Sequence, residues 1–199
     1  MRVKREITSG MFSFRNLATA FALLQALAAT TAYAQLTVTV NGTGASIVGG
    51  IVNPGSASNN VVFISGASSA DNLTTAYGGY DREDINVPSI ANNNSLTIES
   101  SYTKGWMRGA YAAQGQKANE THLESLNNTL VVKNTVMGTG SYFVGGDAIH
   151  MISAATDVVT NGNSVTLIGC TNDGGSKPNV MGGYAHGTKT KAEANNNTV

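Results

Sequence analysis

"NNSLTIES" occupies residues 93–100, and the fold turns on how it is read. Two asparagines lead, then apolar Leu96 and Ile98 alternate with polar Ser95, Thr97 and Glu99. Alternation with period two is the mark of a half-buried strand. The pattern stands at 59–66 as "NNVVFISG", at 127–134 as "NNTLVVKN" and at 162–169 as "GNSVTLIG", and it begins again at 196 as "NNTV". The second asparagines, Asn60, Asn94, Asn128, Asn163 and Asn197, are separated by 34, 34, 35 and 34 residues. A fixed period of this size marks stacked repeats.

Counting from each anchor Asn, the second and fourth positions are Val62/Ile64, Leu96/Ile98, Leu130/Val132 and Val165/Leu167. These face one side. Gly66, Ser100, Asn134 and Gly169 supply a turn residue at the sixth position. Helical tandem repeats of similar length carry a 3.6-residue pattern that these units lack. A second, looser element follows each strand: "AYGGYD" (76–81), "MRGAYA" (107–112), "FVGGDA" (143–148) and "VMGGYA" (180–185). Its Tyr80, Tyr111, Asp147 and Tyr184 fall at varying distances from the anchor, as when insertions go into loops on one face.

The expected fold is therefore all-β, a parallel β-solenoid (β-helix) of roughly 34-residue repeats over residues 59–199. Equivalent residues stack in ladders, with Val, Leu and Ile inside and Asn at the corners, where it tolerates left-handed backbone and bonds its stacked copy. An antiparallel sandwich is the alternative. The pattern leaves open whether each unit is one large coil or two small ones. Residues 35–58, with "LTVTV" (36–40) and "SIVGGIV" (46–52), read as an atypical N-terminal capping region. "AAQGQKANETHLESL" (112–126) suggests a short surface helix, with Asn119 or Thr121 as N-cap and Leu123 and Leu126 facing inward, and reads as a loop excursion between coils.

Composition agrees with strands and tight turns: 23 Gly against 3 Pro, and only 12% charged residues in 199. The formal net charge of zero gives no basic field for nucleic acid. Residues 1–34 read as a signal peptide. Arg2, Lys4, Arg5 and Arg15 precede "LATAFALLQALAATTAYA" (17–34), and Ala32-Tyr33-Ala34 fits the small-x-small cleavage rule. Cleavage there leaves 8 Lys+Arg against 11 Asp+Glu, a net of −3. Cys170 is the single cysteine, so no intrachain disulfide forms, and no local His or Lys activates it.

Catalytic motifs are wanting. His122-Leu123-Glu124 is half of the zinc deaminase pattern, whose Pro-Cys-x-x-Cys half needs two cysteines. "GASSA" (66–70) has Ala70 where a nucleophile elbow needs Gly. Asp81, Glu83 and Asp84 could ligate Ca²⁺ through oxygen, but the nonapeptide signature of calcium solenoids is missing, and a solvated loop is expected instead. His150 and His186 read as surface or strand-edge residues. No enzyme activity, metal or cofactor is expected.

The aromatics are the remaining candidates. Tyr77, Tyr80, Trp106, Tyr111 and Tyr184, aligned along one face, would form a contact strip for a glycan or a protein. Tyr102 and Tyr142 belong to the same set. The adjacent Gly pairs allow close packing and favour instead an internal aromatic stack that fills the coil.

The Asn-led strand with "GGYA", behind an Ala-rich export signal, resembles the passenger region of Gram-negative autotransporter proteins. The resemblance covers most of residues 35–199. It implies export to the periplasm, a parallel β-helical passenger, and secretion or display at the outer membrane as an adhesin for host-cell glycan or matrix protein. Members of that family carry a translocator barrel of alternating, aromatic-rich segments, and no such segments occur here. The expectation is thus a fragment or truncated product whose barrel is missing from this chain. A polysaccharide-degrading solenoid enzyme and an inert fragment are the competing functional readings.

Overall fold

A computed structural model describes residues 37–41, 46–48, 51–52, 57–70, 73–83, 89–114, 122–150, 157–187 and 192–199. The expected signal peptide lies outside the described residues. The described residues form seventeen strands and no helix.

The asparagine-led stretches build the first sheet. Its strands are β1 (Thr37–Asn41), β4 (Val61–Ser65), β7 (Ser95–Glu99), β10 (Thr129–Lys133) and β14 (Ser164–Ile168), in that spatial order. Val62 lies opposite Leu96, Leu96 opposite Leu130, and Leu130 opposite Val165. These four are buried, as are Ile64, Ile98 and Val132, while the residues between them are half-buried or exposed. The alternation read from sequence is the alternation of the sheet.

The glycine-containing stretches build a second sheet around β5 (Leu73–Glu83), β8 (Tyr102–Gln114), β12 (Tyr142–His150) and β16 (Asn179–Gly187). Short strands β2 (Ser46–Val48), β3 (Ile51–Val52), β11 (Val136–Met137) and β15 (Thr171–Asn172) extend it. A third sheet holds β6 (Ser89–Ile90), β9 (His122–Glu124), β13 (Asp157–Val159) and β17 (Ala192–Glu193). From β4 onward the chain visits the first, second and third sheets in turn and then returns to the first. Each strand pairs with its equivalent one circuit later. Every strand pairing among the described residues is parallel, which excludes the antiparallel sandwich.

Two buried clusters hold the sheets together. Val62, Ile64, Leu73, Leu96, Ile98, Met107, Leu130, Val132 and Phe143 fill the space between the first and second sheets. Ala91, Ala110, Ala112, Leu123, Ala148 and Val158 fill a narrower one between the second and third, where alanine lets backbones approach.

The doubled asparagines divide their work. The first of each pair takes left-handed backbone at the corner, with φ of 63° at Asn59, 56° at Asn93, 53° at Asn127 and 55° at Asn196; Gly162 stands in for it at 68°. The second is the ladder residue. Asn94 donates from its backbone N–H and its Nδ2 to Asn128 Oδ1 at 2.8 and 3.1 Å. Asn128 does the same to Asn163 at 2.8 and 3.0 Å, and Asn163 to Asn197 at 2.9 and 3.1 Å. Gly146 and Gly183 sit against this ladder, and a Cβ at either would collide with the carboxamide of Asn163 or Asn197.

Two expectations fail. The helix over 112–126 is not formed where the chain is described: Ala112 and Ala113 continue β8, and His122–Glu124 is β9. Leu123 does point inward and is fully buried, but as the middle residue of a strand held between β6 and β13. Pairing on both sides overrides the helical spacing of Leu123 and Leu126. Asp81 and Glu83 of the acidic group do not lie in a solvated loop either. Both lie in β5, and Asp81 is fully buried, with its Oδ2 accepting the Ile90 N–H at 2.8 Å.

Candidate functional site

The core fixes which face of the second sheet looks outward. Ala76, Met107 and Phe143 are in register and belong to the buried cluster, so their neighbours point away from it. Three outward columns follow from the pairing. They are Thr75, Trp106, Tyr142 and Asn179; then Tyr77, Arg108, Val144 and Met181; then Tyr80, Tyr111, Asp147 and Tyr184. The candidate aromatics thus lie on the outer face, and the internal stack is corrected: Met107 and Phe143 fill the space that the tyrosines were expected to fill.

Most of the candidates are brought together. Tyr77, Tyr80 and Tyr111 form a triangle of stacked rings, with centroids 5.1, 5.6 and 5.4 Å apart. Trp106 stacks on Tyr142 at 4.2 Å. Tyr184 stands apart, separated from Tyr111 by the strand that carries Asp147, and tilts against exposed His186 at 6.2 Å. Tyr102 lies elsewhere on β8 and donates its hydroxyl to Asp173 Oδ2 at 2.7 Å. That bond holds the exposed Asp173 carboxyl below its usual range and raises the Tyr102 hydroxyl.

Arg108 and Asp147 tie this surface together. The guanidinium lies 4.1 Å from the Trp106 ring centre, 4.4 Å from Tyr111 and 5.3 Å from Tyr77, in cation–π range of all three. Its Nε donates to Asp147 Oδ2 at 2.5 Å and its Nη1 to the Tyr77 hydroxyl at 3.0 Å. Arg108 is 6% exposed and Asp147 0%, although both side chains are on the outer face. Aromatic rings cover them. Asp147 Oδ1 is buried with no hydrogen-bond partner among the described residues.

That environment shifts three groups. Burial pushes the Asp147 carboxyl up to about 6, against the opposing pull of Arg108. Burial and the nearby Asp147 charge push Tyr111 up to about 12, and burial raises Tyr77. Arg108 and Asp147 were not picked out from the sequence. The signal was there, since Asp147 occupies the column otherwise held by Tyr80, Tyr111 and Tyr184.

The arrangement offers half-buried aromatic rings around a buried ion pair. Cys170 is half-buried, with its thiol 3.3 Å from the Val132 carbonyl and 3.5 Å from that of Ile168. It takes the place held one circuit earlier by Thr135, whose hydroxyl bonds the Lys133 carbonyl at 2.8 Å. Among the described residues no group of three or more His, Cys, Asp and Glu is placed to hold a metal ion. His150 and Asp84 lie outside what can be said of side chains. No protein-family model, curated protein or solved structure matches the chain.

Proposed function

We propose that the successive circuits are coils of a parallel β-solenoid with a repeat of about 34 residues, and that the chain is a non-catalytic passenger, exported and then displayed or secreted. Its role in this reading is adhesin-like, attachment to host-cell glycan or matrix protein. The observation that carries the reading is the register of the first sheet, where ladder asparagines 34 or 35 residues apart bond one another from Asn60 to Asn197. Such a stack presents the same outer positions repeatedly along its axis, which suits multivalent contact. The outward tyrosines and Trp106 supply contact area at low entropic cost. Residues 1–34 act as the leader, 35–58 as the cap and 59–199 as repeats, with the translocator on another segment or chain.

The test is to express the full chain with its leader in a Gram-negative host, sequence the N-terminus of the exported product, and assay it on cells, matrix proteins and a polysaccharide panel. The reading expects a start at Gln35 and saturable attachment without release of sugar. Retention of the leader in the cytoplasm would sink the export claim. Depolymerisation of any polysaccharide would favour the enzyme reading.

A further inference from the structure

We propose that Arg108 and Asp147 form an acid-opened clasp: when the Asp147 carboxyl takes a proton, Arg108 leaves it and swings out of the aromatic cluster, uncovering ring surface on the outer face of the second sheet. The inference stands on geometry and does not depend on the passenger reading.

The pair is lopsided. Among the described residues Arg108 reaches Oδ2, through Nε, while Oδ1 is fully enclosed with no donor. A carboxylate that lacks water and half its hydrogen bonds is expensive to keep charged. A proton on Oδ1 removes that cost. The shift of this carboxyl to about 6 agrees in direction and cause. Arginine stays charged at any pH in this range. Once Asp147 is neutral, the nearly enclosed guanidinium has lost its counter-ion, retaining one hydrogen bond to Tyr77 and its ring contacts. A long side chain on an outer face relieves that by extending its charged head into water. Backbone movement is unnecessary.

Tyr77 on β5 and Tyr111 on β8 are both raised by burial, and Tyr80 on β5 and Tyr184 on β16 share the Asp147 column. His186 on β16 tilts against the Tyr184 ring. The side chains of Arg82 on β5 and His150 on β12 lie outside the described residues. Arg108 is the group that both lowers the Asp147 carboxyl and bonds it.

Trp106 is the single tryptophan of the chain, and the guanidinium lies against its ring, so its emission reads the clasp directly. The experiment follows Trp106 fluorescence of the full chain from pH 8 to pH 4.5. The expected result is one sigmoidal transition centred near pH 6. Asp147→Asn should show the acid-form emission throughout, with the transition lost. Arg108→Gln should also be flat, while His186→Gln keeps the native transition. If Asp147→Asn fails to fold, the Arg108→Gln and His186→Gln arms decide. A flat native titration, a transition that survives Arg108→Gln, or one abolished by His186→Gln would each overturn the proposal.

Discussion

Asn127 and Asn128 are adjacent and chemically identical, yet their environments assign them opposite worth. Asn127 is exposed at a corner with φ of 53°, a conformation glycine adopts freely and already supplies at Gly162. Asn127→Gly should therefore change stability by less than about 0.5 kcal/mol. Asn128 is fully buried, accepts two bonds from Asn94, and donates to Asn163, to the Ala91 carbonyl at 2.9 Å and to Ser125 Oγ at 3.1 Å. Asn128→Ala strands several of these groups and should cost about 2–4 kcal/mol. Urea unfolding of the two variants side by side reads the difference. The folded Asp147 carboxyl is raised from 3.8 to about 6, so its contribution is fully present below the lower value and is lost as pH rises through the higher one. The stability of the native chain minus that of Asp147→Asn should grow as pH falls from 7 to 4.5, by about 3 kcal/mol at most. Calorimetric melting at several pH values checks the sign.

Strands of the first sheet were legible because each carries five residues of clean alternation behind an asparagine marker. Second-sheet strands were visible only as loose motifs, and their facing was misread for a physical reason. Gly78 and Gly79 break the period-two count, so Tyr77 and Tyr80 emerge on the same face although they are three positions apart. The period rule has no way to carry phase across that pair. Third-sheet strands of two or three residues, such as Ser89–Ile90, are too short for any periodic signal. Leu123 and Leu126, three apart, then mimicked a helix. Leu123 in β9 gives a test of the strand reading. It is fully buried in the alanine-lined cluster, and Leu123→Ala should cost about 2–4 kcal/mol because rigid neighbours cannot collapse into the space. Leu126 is only half-buried, so Leu126→Ala should cost distinctly less. Equal costs for the two, measured by chemical denaturation, would favour a helical face instead.

At the scale of the molecule the strands pair in parallel, and in the first sheet, from β4 to β14, residues 34 or 35 apart in sequence are neighbours across the ladder. Periodicity in the sequence pointed to this arrangement, while the number of faces per circuit did not follow from it, since the connections carry little pattern of their own. The candidate site was half legible for the same reason. Its aromatics could be listed, but the Arg108–Asp147 pair joins residues 39 apart and offset between columns, which no repeat count aligns. The register itself can be cross-linked. Thr97 and Val131 are direct partners on the outer face of β7 and β10, and parallel neighbours ~4.8 Å apart lie within disulfide range. In a Cys170→Ser background, Thr97→Cys with Val131→Cys should oxidise to an intramolecular disulfide in nearly all molecules. Thr97→Cys with Val132→Cys should not, because Val132 is fully buried on the opposite face. The parallel register requires efficient closure of the first pair alone; failure of that pair, or equal closure of both, would rule that register out.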